Sequence, residues 1–370
     1  MANIKRYTDK LTELQEIGNY RILRNSVPQS MLNLSSNDYL GLNNNSQLYQ
    51  EFLQENISKK YRFSSASSRL LTGNSAEYTE LEKCISTLYK KESCLIYNSG
   101  YHANCGILPA LAGANDLILA DKLVHASIID GLKLGSAKWE RFRHLDYAHL
   151  EKLLELYSDS YENIFIVTES IFSMDGDIAD LPKLVEIKKK YNAFLYVDEA
   201  HALGVRGNTG LGLVEENNCI ADCDFIVGTF GKAIASVGAF VVCQNIFKEF
   251  LINHSRTLIF TTALPPINLA WTNFIMQRLA SFNNKRIQLQ QVSSEFAALL
   301  QVESQSHIIP YIIGENIDAI ATSETLQKHG FYVLPIRYPT VAKGTARLRF
   351  SLQADYVISQ IEPIMQILKN

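Results

Sequence analysis

Residues 193–201 read AFLYVDEAH, and residues 224–232 read DFIVGTFGK. Each begins as an apolar run and ends abruptly in reactive side chains: Asp198, Glu199 and His201 after the first, Thr229 and Lys232 after the second. A short strand that is apolar at nearly every position is buried on both faces, which predicts a parallel or mixed sheet covered by helices. The same rhythm extends outward from this pair. SCLIYN (93–98), LILA (117–120) and NIFIVTES (163–170) read as strands. AEYTELEKCISTLYK (76–90), HANCGILPALA (102–112), HASIIDGLKLG (125–135) and LPKLVEIKKKY (181–191) read as helices.

The ends of the chain differ in character. Residues 4–24 place Ile4, Leu11, Leu14 and Ile17 at helical spacing, and MLNLSSNDYLGL (31–42) reads as a short strand and a turn. Beyond about residue 275 come a polar helix (283–300), strands in SHIIPYII, FYVLPI and ARLRFSL, a helix over 316–329 and a last helix from about 355. The expected organisation is an N-terminal segment 1–42, a large α/β domain 43–275 and a smaller α+β domain 276–370.

The 370 residues are 47% hydrophobic and 20% charged, with a formal net charge of -3. That is long enough for more than one core and lacks the basic footprint of a nucleic-acid binder. The six cysteines form no CxxC pair, and Cys219 with Cys223 is a poor metal site; no metal is expected. The N-terminal residues show no signal-peptide pattern. No apolar run approaches the ~20 residues that a membrane span needs. A cytoplasmic protein without membrane or nucleic-acid partners is expected.

In open α/β sheets, ligands collect beyond the carboxyl ends of the strands. A lone lysine at such an end reads first as a snorkelling side chain. Lys232, however, sits in an apolar segment where desolvation lowers an amine's pKa, and a neutral amine can form a Schiff base with an aldehyde. Asp198, at a neighbouring strand end, can pair with a pyridinium nitrogen and make the ring an electron sink. His201 can donate to a ring oxygen, and Thr229 to a phosphate. The turn at Gly100-Tyr101 opens a helix whose free N–H groups favour a phosphate. His125 can cap its helix or stack on an aromatic ring, and Ser173 reads as a turn residue. There is no GxGxxG and no Walker lysine pattern, so a dinucleotide or ATP site is unsupported.

SSNDYLGL (35–42), ESIFSMDGDIADLPKL (169–184), VDEAHALGVRGNTGLGLVEE (197–216), TFGKAIASVGA (229–239) and GTARLRFSL (344–352) resemble the α-oxoamine synthases, fold-type I pyridoxal-phosphate enzymes. The likeness covers about residues 20–355. It implies a large domain with a mostly parallel seven-stranded sheet, a smaller C-terminal α+β domain, and a homodimer with shared active sites. It also implies decarboxylative condensation of an amino acid with an acyl thioester carried on CoA or an acyl carrier protein. By this resemblance Lys232 is the Schiff-base lysine, Asp198 the pyridinium partner and His125 the stacking imidazole. Ser173 and His201 would contact the ring's phenolic oxygen, and Gly100, Tyr101 and Thr229 the phosphate. Thr262, in FTTALPP, would reach the partner subunit's phosphate. Arg349 would clamp the amino-acid carboxylate, helped by Asn37. Arg21 in NYRILR and the stretch IRYPTV (336–341), with Thr340, resemble members that join L-alanine to a pimeloyl thioester. Glycine-using and serine-using members are the alternative.

The chain departs from the family in three places. Ser64–Ser68 replaces a glycine-rich stretch, Tyr78 a usual histidine, and Ala233 a frequent glycine. Two readings from other classes are a transaminase or decarboxylase using the same cofactor without a thioester, and a non-catalytic dimeric scaffold. The arginine of RLRFS and the SMDGD segment argue against the first, and intact Lys232, Asp198 and His125 against the second.

Overall fold

The computed structural model describes residues 4–157 and 159–369. In chain order the strands are β1 (Leu32–Asn33), β2 (Ser93–Tyr97), β3 (Leu117–Asp121), β4 (Lys138–Phe142), β5 (Ile164–Glu169), β6 (Phe194–Asp198), β7 (Phe225–Thr229), β8 (Ala239–Cys243), β9 (Ile308–Gly314), β10 (Phe331–Tyr332), β11 (Pro335–Ile336) and β12 (Ala346–Ser351). The chain divides into two compact units. One comprises Asp38–Phe172 and Ile178–Ile287; the other comprises residues up to Asn37, Ser173–Asp177, and Gln288 onward.

The first unit holds a seven-stranded sheet of order β2-β8-β7-β6-β5-β3-β4. Strands β3 to β7 run parallel, and β8 runs antiparallel to both its neighbours. The five-residue runs SCLIY, LILAD and AFVVC and the six-residue IFIVTE are buried at every position, as strands covered on both faces must be. Register decides what meets at the carboxyl edge. Tyr97 at the end of β2 and Thr229 at the end of β7 both pair with Ala239, so their following loops emerge side by side. Glu169 and Asp198, the last residues of β5 and β6, are partners across the sheet.

Two helices carry the pieces that cover this edge. Gly100–Leu111 is capped by the Ser99 hydroxyl, which accepts from the His102 N–H at 3.2 Å. Ala126–Leu134 is capped by His125, whose Nδ1 accepts from the Ser127 N–H at 3.2 Å. Gly131 lets the two helices approach closely: a Cβ there would stand 2.5 Å from the Asn104 carbonyl oxygen.

In the other unit β9, β11 and β12 form an antiparallel sheet of order β11-β12-β9, and β1 pairs with β10 in parallel. Helix Asn316–Lys328 lies where the spacing predicts it. The N-terminal helix is shorter than the 4–24 pattern suggests, running Lys5–Glu16 with no buried residue. The last helical stretch starts at Ile358 and is split at Pro363, which begins its second piece. Among the described residues no helix is long and apolar enough to cross a membrane.

Candidate active site

A cavity of about 170 Å³ lies at the carboxyl edge of the large sheet. It is lined by Gly100, Tyr101, Asn104, His125, Ser127, Glu169, Asp198, Ala200, His201, Thr229 and Lys232. The expected residues Gly100, Tyr101, His125, Asp198, His201, Thr229 and Lys232 are thus brought together from four separate stretches of chain.

Lys232 Nζ is 2.7 Å from His201 Nε2, and His201 Nδ1 is 2.7 Å from the Tyr39 hydroxyl. An ammonium at Nζ donates to Nε2; Nδ1 then carries the ring proton and gives it to the Tyr39 oxygen. His201 is 4% exposed and Tyr39 fully buried, so this relay is fixed by packing.

Asp198 is held from two sides. Its Oδ1 accepts from the Ala200 N–H at 2.9 Å and its Oδ2 from the Asn104 amide at 2.8 Å. Asn104 is oriented in turn by the Tyr196 hydroxyl, which donates to Asn104 Oδ1 at 2.5 Å, and its amide also donates to the Ser127 hydroxyl at 2.9 Å. With donors on both oxygens, Asp198 is arranged as an acceptor.

His125 is neutral in this setting. Burial lowers its imidazole below the usual value, the Lys232 charge adds to this, and Asp198 opposes it. Because Nδ1 accepts from Ser127, the ring proton sits on Nε2. Glu169 is 1% exposed, and its carboxyl is pushed up to about 8, first by burial and then by Asp198. Its Oε1 has no hydrogen-bond partner. Neighbouring Glu199 is pushed up to about 7 by burial. That happens despite donors from the Ser170 hydroxyl at 2.6 Å and the backbone N–H groups of Leu213 and Val214 at 3.1 and 2.7 Å.

The remaining expected residues are not among those that line this cavity. Thr262 is exposed, with its carbonyl accepting from the Asn98 amide at 2.6 Å; the same amide donates to Thr261 Oγ1 at 3.1 Å. Ser173, Asn37, Arg349, Arg21 and Thr340 belong to the other unit. There Arg349, 8% exposed, donates Nε to the Ser173 carbonyl and Nη1 to Asn37 Oδ1 at 3.2 Å and Ser351 Oγ at 2.6 Å. Arg347, two residues earlier on β12, pairs with Asp175 of the same Ser173–Asp177 segment. Arg21 Nη2 is 3.5 Å from Thr340 Oγ1. Among the described residues no group of three or more His, Cys, Asp or Glu side chains could hold a metal ion.

The sequence reading missed Asn104, Glu169, Tyr39 and Ser127. Two of them left a trace. Asn104 is a polar residue inside the otherwise apolar helix HANCGILPALA, and Glu169 ends an apolar strand just as Asp198 does.

These groups suit an anionic aromatic aldehyde: an amine, a carboxylate with both oxygens oriented, a neutral imidazole, and a helix N-terminus beside a threonine hydroxyl. Residues 29–368 match the family model described as "Aminotransferase class I and II". The chain belongs to that family, and within it to the α-oxoamine synthases, which act with pyridoxal phosphate. A "Putative 8-amino-7-oxononanoate synthase" of Glaesserella parasuis serovar 5 is 51% identical over 99% of this chain and 100% of its own length. One of the same name from Haemophilus influenzae is 51% identical over 96% of this chain and 97% of its own. Among solved structures, an SPT with PLP internal aldimine superposes with a TM-score of 0.91 at 27% identity, covering 100% of this chain and 98% of that one. The 8-amino-7-oxononanoate synthase of Francisella tularensis gives a TM-score of 0.77 at 31% identity, covering 92% and 97%.

Proposed function

We propose that this protein condenses L-alanine with a pimeloyl thioester, releasing CO2 and the free thiol, to form 8-amino-7-oxononanoate for biotin synthesis. The observation that carries the reading is the convergence of Lys232, Asp198, His125 and His201 on one cavity. The near-full-length likeness to proteins named for this reaction supports the choice of substrates.

Pyridoxal phosphate, when bound, supplies an aldehyde that condenses with amines and a protonated ring that takes up negative charge from the amino-acid Cα. The chain supplies the rest. Lys232 would hold the aldehyde, and its free Nζ would serve as the base that takes the alanine Cα proton and as the acid that returns one. Asp198, aimed by Asn104 and Ala200, would accept from the ring nitrogen and keep it protonated. His125, a neutral imidazole lining the cavity, would pack against the ring. His201 and Ser173 would bind the phenolic oxygen, while Gly100, Tyr101 and Thr229 would bind the phosphate. Arg349, steadied by the Ser173 carbonyl and Asn37, clamps the alanine carboxylate with its planar fork. Arg21 and Thr340 bind the acyl substrate.

The working form is a cytoplasmic homodimer in which Thr262 completes the partner subunit's phosphate site. Thr262 is exposed and is not among the residues lining its own chain's cavity, which supports that role. The test is a turnover screen of alanine, glycine and serine against pimeloyl, acetyl and palmitoyl thioesters, on CoA and on acyl carrier protein. Fastest release of CO2 and thiol with alanine and a pimeloyl thioester is expected. A clear preference for glycine with acetyl or serine with palmitoyl would overturn the substrate assignment and leave the reaction class standing.

A further inference from the structure

Glu169 has no task in the chemistry described so far, yet it is among the most unusual groups in the cavity. It is 1% exposed, lines the cavity, and carries an oxygen with no partner. Across the sheet it is the register partner of Asp198. In a parallel pair such neighbours project to the same face, so two carboxyl groups stand side by side in a buried place. Two adjacent buried carboxyls do not both ionise readily.

The hydrogen bonds decide which one keeps a proton. Asp198 receives a donor on each oxygen, so an added proton there would face donors already in place. Glu169, by contrast, leaves its Oε1 with no hydrogen-bond partner. We propose that Glu169 is a positioning residue that carries the proton of this carboxyl pair, leaving Asp198 as the ionised partner for the ring nitrogen and presenting a neutral acid to the cavity.

The other charged groups do not reverse this. Lys232, after β7, favours an ionised Glu169 but is engaged with His201. Asp121, at the end of β3, opposes ionisation and is paired with His144 at 2.8 Å. His125, before its helix, is neutral. Buried Glu199 contacts Ser170, Leu213 and Val214 rather than Glu169. Burial, the largest influence on Glu169, pushes its carboxyl up to about 8, in the same direction as the hydrogen-bond pattern.

The inference rests on the reading of Asp198 as the ring's partner, and the test separates the two. Wild type, Glu169→Gln, Asp198→Asn and the double variant are compared as full-length chains, stripped of cofactor, between pH 5 and 9. The first readout is the infrared absorption of a protonated carboxylic acid at pH 6.5. It is expected in wild type and diminished by one group in Glu169→Gln; an unchanged band overturns the proposal.

The second is the folding equilibrium. Glu169 has a raised folded-state value, so its contribution is fully present below its unfolded value and is lost as pH rises toward the folded one. Wild type should therefore lose stability relative to Glu169→Gln by about tenfold per pH unit across the middle of that window. Asp198→Asn should move the fall to lower pH. A wild-type curve parallel to that of Glu169→Gln, or a fall that Asp198→Asn leaves in place, refutes the shared proton. Absorbance of added pyridoxal phosphate in the same samples reports separately whether the cavity binds the cofactor. Its absence in wild type would sink the site reading without touching the proton assignment.

Discussion

His201 stands between Tyr39 and Lys232, 2.7 Å from each, with a different ring nitrogen toward each. The arrangement joins SSNDYLGL to the DEAH strand end and to Lys232. It fixes the imidazole's orientation through a hydroxyl that the sequence reading did not single out. Tyr39→Phe removes that hydroxyl and lets the ring turn. The expected result is a roughly tenfold fall in kcat, about 1.4 kcal/mol of barrier, and a loss of about 1 kcal/mol in unfolding free energy. Steady-state kinetics with urea unfolding checks both; unchanged kcat would free His201 from any dependence on Tyr39.

The Asp198 carboxylate depends on Asn104 in the same way. Asn104→Ala would strand Asp198 Oδ2 and the buried Tyr196 hydroxyl. Stability should fall by about 2 kcal/mol, with weakened cofactor binding read by absorbance titration. Asp198→Asn should keep the fold and lose more than about 100-fold in rate, some 2.7 kcal/mol. A rate within about threefold of wild type would contradict the electron-sink role.

The sheet was legible in the sequence because strands buried on both faces announce themselves as apolar runs. β4 was not, for the opposite reason. KWERF lies at the sheet edge with only Phe142 buried, so it carries an edge strand's charged composition. β8 was hidden because it continues the apolar stretch after Lys232 without a break in composition, and only its antiparallel pairing distinguishes it. In the site, strand-end residues such as Asp198, Thr229 and Lys232 could be read from the chain, since position in the pattern gives position in space. Asn104 could not be tied to Asp198, 94 residues away, because which helix side chain meets which strand end is a property of packing.

His125 gives a pH dependence of known sign. Burial depresses its folded-state pKa, so the unfolded chain binds more protons just below pH 6.5. The group's contribution to stability is full above its unfolded value, near 6.5, and is lost as pH falls through the folded one. The unfolding free energy of wild type minus that of His125→Asn should rise between pH 5 and 7 and then level off. A difference that is flat over this range would contradict the buried, neutral imidazole.

Away from the cavity, Glu82 forms a buried ionic node. Its carboxylate meets Arg69 and Lys248, each at 2.8 Å, and accepts from the Ile96 N–H at 3.1 Å. Glu82→Ala would leave the half-buried Arg69 and Lys248 without their counter-ion. We expect a loss of about 3 kcal/mol, measured by denaturant unfolding, and a change under 1 kcal/mol would show the node to be dispensable.

The most direct test of the whole account is reduction of the cofactor-loaded protein with borohydride, followed by peptide mapping. The account predicts a pyridoxyl group fixed on Lys232 and its loss, with the long-wavelength absorbance, in Lys232→Ala. A label on another lysine, or full turnover by Lys232→Ala, would contradict it.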